Sequence, residues 1–162
     1  NVNDYKAGAL EGDGVGRVKV YPLWNGNGTV KVLIIGNDNL PCSEETVNTV
    51  ISYIEEKRPI GATVTVDTPQ LLKLTFDIKI KLDSAYSLDD TKEQISTVLS
   101  DYVNNLEDED IIYYKALSVV GDLGAVDDIV AYTINNKQEN IPVGDYYIPV
   151  IDTITISVSE VV

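Results

Sequence analysis

The longest run of potential metal ligands in this 162-residue sequence is Glu107-Asp108-Glu109-Asp110. Carboxylate oxygens suit calcium, but a calcium loop spaces its oxygen ligands regularly and places a glycine at its sharp turn. Neither feature accompanies these four acids. We therefore expect a solvated linker whose acids precede a helix, and no metal site.

A second candidate for chemistry is the glycine-rich segment Gly12-Asp13-Gly14-Val15-Gly16. A dinucleotide-binding fingerprint requires a strand before the glycines and a helix after them. Here the residues from Arg17 to Tyr21 alternate as a strand does, and they follow the glycines. Because the order is reversed, the segment is predicted to be a turn and not a phosphate site.

The sequence has no histidine and one cysteine, Cys42. Nucleophiles activated by histidine, a disulfide within the chain and a cysteine metal site are therefore excluded. The acidic residues are scattered, and none are paired in an apolar or glycine-framed cleft that would shift their pKa values. A hydrolase acting through paired acids is disfavoured, and we expect no catalytic residues, no cofactor and no metal.

The charge balance limits the partners. Twelve basic residues stand against 26 acidic ones, which gives a net charge of −14. Phosphate backbones and anionic lipids would be repelled by such a surface, so nucleic-acid and membrane binding are not expected. No apolar run approaches the length of a spanning helix, and the absence of methionine at Asn1 or elsewhere suggests an excerpt of a longer product.

The remaining candidate residues are Trp24, Asn25 and Asn27, in the sequence Trp24-Asn25-Gly26-Asn27-Gly28. Asn-Gly pairs supply the positive φ angles of tight hairpin turns, so a hairpin from Val15 to Ile35 is predicted. Trp24 has two interpretations, a packing anchor in the core or an exposed contact for assembly. Both remain open at this stage.

These residues must be positioned by the elements around one long strand. From Leu71 to Asp83, six apolar residues alternate with mostly charged ones, which is the period of a strand with one buried face. The run is roughly twice the length of a usual strand, so we expect it to bend or to serve two sheets.

Two α+β units flank this strand. Before it, strands and a helix from Ser43 to Lys57 give the order β-β-α-β; after it, a helix from Leu88 to Tyr102 and a shorter one give β-α-α-β-β. The predicted fold class is α+β, with two consecutive small sandwich units that share the long strand in antiparallel or mixed sheets. The expected domains are residues 1–70 and 71–162.

One long block of the sequence resembles a known family. The run from Gly14 to Val32, which includes Tyr21-Pro22-Leu23-Trp24-Asn25-Gly26-Asn27-Gly28, is similar to the signature of the baseplate J-like family of contractile phage tails. Gly8 stands where that family leads us to expect an aromatic residue. Three shorter blocks agree with the resemblance: Asn3 to Lys6, Arg58 to Ala62 and Val120 to Asp128.

The resemblance implies a structural component of a phage or prophage tail baseplate, namely the C-terminal part of a wedge subunit in the virion, assembled in the host cytoplasm. It implies no catalytic residue and no cofactor. Its partners would be other baseplate and tail proteins and further copies of itself, and the isolated fragment is expected to be largely monomeric. The alternative is a carbohydrate- or ion-binding module that uses Trp24, the tyrosines and the acidic loops.

Overall fold

The computed structural model describes all residues from Asn1 to Val162, and the chain forms two compact units. The first comprises Asn1–Leu71 together with the short segment Tyr146–Ile148, and the second comprises Leu72–Asp145 and Pro149–Val162. Each unit is built on its own three-stranded sheet. None of the helices combines the length and the apolar character that crossing a bilayer requires.

The first unit has a mixed sheet in the order β1-β2-β3. The β1 and β2 strands are antiparallel, whereas β2 and β3 are parallel. Its elements are α1 (Val2–Leu10), β1 (Val15–Pro22), β2 (Thr29–Gly36), α2 (Glu44–Lys57) and β3 (Thr63–Asp67).

The α2 helix forms where the sequence predicts it. Ser43 is its N-cap, and the Ser43 side chain accepts a hydrogen bond from the Thr46 amide at 3.2 Å. Val50 and Ile54, one turn apart, are buried in a core that also contains Val32 and Ile34 of β2. The apolar stripe of the helix therefore covers the sheet, as its spacing indicates.

The second unit contains α3 (Leu88–Asn104), α4 (Tyr113–Gly121), β5 (Val126–Ile134) and all but the first two residues of β4 (Gln70–Leu82) and of β6 (Tyr147–Val161). The sheet order is β5-β4-β6, and β4 and β5 are antiparallel. Along β4 and β6 the residue numbers rise together: the Ser159 hydroxyl donates to the Ile80 carbonyl, and the Val162 amide to the Leu82 carbonyl. These two strands are thus parallel, and the sheet is mixed.

The alternation along β4 is confirmed. Five residues on one face of the strand are buried, namely Leu74, Phe76, Ile78, Ile80 and Leu82. They pack in one core with Ile95 and Leu99 of α3 and with Ala116 of α4. An α+β fold with two small mixed sheets is therefore correct for this chain.

The expectation that the long strand serves two sheets is wrong. The β4 strand belongs to one sheet, in which it lies between β5 and β6, and it is not a member of the sheet formed by β1, β2 and β3. The first sheet ends at β3, and Thr68 and Pro69 separate β3 from β4. Periodicity reports which face of a strand is buried; it does not report which strands lie beside it.

Candidate functional site

The acidic run contributes to local structure. Asp110 accepts a hydrogen bond from the Val143 amide at 2.9 Å, which fastens the loop before α4. That helix begins without a side-chain cap at Ile112, although the Asn140 side chain accepts from the Tyr113 amide at 2.9 Å. No three His, Cys, Asp or Glu side chains of the chain are grouped closely enough to hold a metal ion.

The glycine-rich segment is a turn between α1 and β1. Gly14 has a φ of +85°, a conformation that L side chains rarely adopt. Gly16 lies where a Cβ would come within 2.8 Å of the Asn37 Cα, beside an irregularity in the pairing of Val15 and Arg17. Glycine is therefore needed here for backbone geometry and close packing.

Cys42 is half-buried and has no disulfide partner. Burial raises the pKa of its thiol, and the hydrogen bond with Thr68 partly offsets that rise. Because the thiolate is the nucleophilic form, this cysteine is less reactive than an exposed one.

The loop between β1 and β2 is longer and more ordered than an Asn-Gly turn. It runs from Leu23 to Gly28. The Leu23 amide donates a hydrogen bond to the Thr29 carbonyl at 2.7 Å. Two successive turns lie within the loop: the Gly26 amide donates to the Leu23 carbonyl, and the Thr29 amide donates to the Gly26 carbonyl, both at 3.3 Å. Positive φ occurs at Leu23, Gly26 and Gly28. The predicted hairpin is confirmed, because β1 and β2 pair antiparallel, but its connection is a six-residue loop and not a tight turn at the asparagines, since the strand pairing already ends at Pro22 and Val30.

The Thr29 side chain stiffens this loop. Its hydroxyl donates to the Gly26 carbonyl at 2.7 Å and accepts from the Asn25 amide at 3.1 Å. Leu23 is a non-glycine residue at φ 59°, a conformation that costs free energy and persists only when its surroundings hold it. The loop therefore presents its side chains in one defined arrangement.

A second loop lies beside the first at the same end of the sheet. The Thr63 amide donates to the Gly28 carbonyl at 2.8 Å, and the Arg58 guanidinium donates to the Ala62 carbonyl at 2.8 Å. We call Leu23–Gly28 and Pro59–Ala62 together the loop tip. It contains no charged residue, although 23% of the chain is charged.

The loop tip exposes large apolar side chains. Ile60 is 105% exposed, Leu23 is 63% exposed and Trp24 is 38% exposed. Trp24 is absent from the core of its unit, so the interpretation of Trp24 as a core packing anchor is wrong. Asn25 and Asn27 are also exposed, beside Trp24. Exposed aromatic and aliphatic groups with no charge among them are typical of the centre of a protein interface.

One face of the Trp24 ring contacts the ammonium group of a lysine. The Lys31 ammonium lies 4.8 Å from the centre of the Trp24 ring and 4.2 Å from that of Tyr146, and it pairs with Asp67 at 3.5 Å. Lys31 is only 9% exposed. The Tyr146 ring in turn meets Tyr21 edge-on at 5.1 Å. The Lys31 ammonium therefore restrains the Trp24 ring by contact with one of its faces.

The sequence pattern did not reveal four residues of this site: Leu23, Lys31, Ile60 and Tyr146. A signal for the first three was present, since no acidic residue occurs from Gly14 to Gly36 or from Lys57 to Val66 in a strongly acidic chain. Tyr146 had no such signal, because it lies far along the chain and reaches this unit only through the segment Tyr146–Ile148.

The fold and the site together define a class of protein: an α+β scaffold that exposes an apolar loop tip without charged residues. The family follows from comparison. Residues 1–68 match the model of the baseplate J-like central domain, and residues 74–157 match that of the baseplate J-like protein C-terminal domain. The chain belongs to the baseplate J-like family of phage baseplate structural components.

Two relatives come from Bacillus subtilis strain 168. The phage-like element PBSX protein XkdT is 31% identical over 158 residues, which is 92% of this chain and 45% of that protein. The uncharacterized protein YqbT is also 31% identical, over 96% of this chain and 47% of its own length. The chain thus spans less than half the length of these relatives.

The fold also occurs in a solved assembly. A chain in the cryo-EM structure of the anti-feeding prophage baseplate, six-fold symmetrised, superimposes with a TM-score of 0.71 at 11% sequence identity. The superposition covers 94% of this chain and 37% of that one. At this identity the likeness concerns the fold.

Proposed function

We propose that this pair of domains is a wedge component of a phage or prophage contractile-tail baseplate, and that it acts by binding neighbouring tail proteins through the loop tip. The observation that carries the proposal is the uncharged and exposed group of Leu23, Trp24 and Ile60. Trp24, Asn25 and Asn27 are the proposed assembly contacts. The protein would reside in the virion after assembly in the host cytoplasm, and it would perform no catalysis.

The physical reason is that a rigid aromatic anchor loses little conformational entropy on binding. The Lys31 and Tyr146 contacts and the hydrogen bonds of Thr29 already hold the Trp24 loop in place. Family membership and the exposed apolar tip both favour assembly over the carbohydrate- or ion-binding alternative.

The test is to replace Trp24 with alanine in the full-length protein. We expect the variant to melt within a few degrees of the parent, because Trp24 lies outside the core, and to give few complete baseplates by electron microscopy. The matched control is Tyr86→Ala, which removes an aromatic residue that is 42% exposed elsewhere on the chain and should leave assembly intact. Normal baseplates from folded Trp24→Ala protein would refute the role of the tip.

A further inference from the structure

The outer surface of the second unit has a groove along α3. One depression, of about 430 Å³, extends from Asp90 to Leu123, and another, of about 410 Å³, extends from Asp101 to Val119. Val98 lines both, so the two depressions adjoin at this residue. We call the two adjoining depressions together the α3–α4 groove.

The floor of the groove is apolar. It is formed by side chains that pack inward on the core of the unit while remaining partly exposed: Val98, Tyr102, Leu106, Val119 and Leu123. The Tyr102 hydroxyl accepts a hydrogen bond from the Ile112 amide at 3.0 Å, which fixes the largest of these side chains. Because Tyr102 is restrained and the other side chains pack on the core, covering the floor costs little conformational entropy.

The rim of the groove is acidic. Asp90, Glu93, Asp101 and Glu109 line it and are exposed, and one basic residue, Lys115, is among the lining residues. Burial raises the pKa of the Tyr102 phenol and the Glu109 carboxylate raises it further, against a lowering by the Ile112 hydrogen bond, so the charge of Glu109 acts on the floor itself. An apolar floor with a negative rim attracts apolar groups that are flanked by cations.

We infer that the α3–α4 groove binds a basic amphipathic helix of a partner protein. The α3 helix has 17 residues, and at about 1.5 Å per residue it extends roughly 25 Å, enough to lie along about four turns of a bound helix. The bound helix would place apolar residues at i, i+3, i+4 and i+7 on the floor and Lys or Arg against the rim. A second copy fits poorly because each copy carries −14.

The groove is independent of the loop tip, since all its residues lie in the second unit. The probe is a synthetic amphipathic helix made only of leucine and lysine, compared with a twin in which glutamate replaces lysine. Titration of isotopically labelled protein should shift amide signals along α3 and α4 with the lysine peptide and give no such shifts with the glutamate twin.

Two double variants distinguish binding at the groove from a general attraction between the basic peptide and the acidic protein. Glu93→Lys with Asp101→Lys should weaken binding by about tenfold or more, since both carboxylates lie on the rim. The matched pair Glu56→Lys with Asp152→Lys makes the same charge change at exposed positions outside the groove and should weaken binding by about twofold or less. All four residues are exposed, so folding should persist, as melting curves can verify.

A third variant tests the floor. Val98→Ser with Val119→Ser keeps the charge and should weaken binding by about tenfold through lost apolar contact. The inference is overturned if the two charge-reversal pairs weaken binding equally, if the floor variant binds as tightly as the parent, or if the lysine peptide gives no signal shifts in α3.

Discussion

Each of the two units buries polar side chains, but the polar groups of the two units have different kinds of partner. In the first unit the charged Lys31 ammonium is held between the rings of Trp24 and Tyr146 and beside Asp67. In the second, Tyr113 and Tyr132 are buried with their rings 4.4 Å apart. Each donates its hydroxyl hydrogen to the other's backbone carbonyl, at 2.7 Å and 3.3 Å.

The difference indicates what each cluster does. A neutral phenol that donates to a carbonyl is inexpensive to bury, so the tyrosine pair can fasten α4 to β5 inside the core. Burying an ammonium costs more free energy, and the buried Lys31 is compensated by two ring faces and a half-exposed carboxylate. The tyrosine cluster thus stabilises the unit, whereas the lysine cluster orients an exposed tryptophan.

The largest effect should come from alkaline pH on the second unit. Burial raises the pKa of Tyr132, with a further contribution from Tyr113, and burial raises the pKa of Tyr113 as well. In the unfolded chain these phenols ionise near about pH 10. Above that pH the unfolded chain has lost protons that the folded chain still holds, so unfolding becomes more favourable as pH rises.

The free energy of unfolding should therefore be unaffected by these groups below about pH 10 and fall above it, by at most about 1.4 kcal/mol per pH unit for each phenol that stays protonated in the folded chain. Denaturant titrations at a series of alkaline pH values, followed by circular dichroism, measure the slope. Tyr132→Phe removes one ionising group and should make the slope shallower. An unchanged slope in that variant would show that Tyr132 does not hold its proton in the folded chain at pH values where the unfolded chain has lost it.

The sequence predicted the elements more completely than the contacts between them. The alternation from Leu71 to Asp83 predicted β4, and the two longer predicted helices are α2 and α3, whose N-caps in the structure are Ser43 and Ser87. Local chemistry determines such features, because a period or a cap involves residues a few positions apart.

The lysine cluster could not be predicted from local sequence patterns. Contact between Lys31 and Tyr146 depends on where a short distant segment packs, and no local pattern records that. The same limit explains the error about the shared strand, since strand neighbours are a property of the whole sheet. Gly8 is a related case: a Cβ there would lie 2.9 Å from the Tyr53 ring, so an aromatic side chain from α2 occupies space next to the position where the family resemblance suggested one.

A smaller effect is expected when one hydroxyl is removed from the tyrosine pair. Tyr113→Phe deletes the 2.7 Å bond to the buried Tyr132 carbonyl and should destabilise the second unit by about 1–3 kcal/mol. Tyr114→Phe is the matched control, because Tyr114 is 72% exposed, and it should change stability by less than about 0.5 kcal/mol. Equal effects in the two variants would show that the hydroxyl hydrogen bond of Tyr113 does not stabilise the second unit.

The smallest effect on stability, and the sharpest test of the comparison, is expected at Lys31. Lys31→Met keeps an unbranched side chain but removes the charge, so it loses the attraction to two rings and also the cost of burying an ammonium. These contributions oppose each other, and Asp67 is left half-exposed to water, so stability should change by about 1 kcal/mol or less.

The orientation of Trp24 should nevertheless change. Trp24 is the single tryptophan of the chain, so its fluorescence reports this loop alone. We expect Lys31→Met to lower the fluorescence anisotropy and to increase quenching by acrylamide, because the ring loses the cation that holds its inner face. Lys31→Arg retains a charge that can stack on both rings, and it should behave like the parent. If the methionine variant has the anisotropy and quenching of the parent, hydrogen bonds of the loop alone orient Trp24, and the first unit buries its lysine for stability as the second buries its tyrosines.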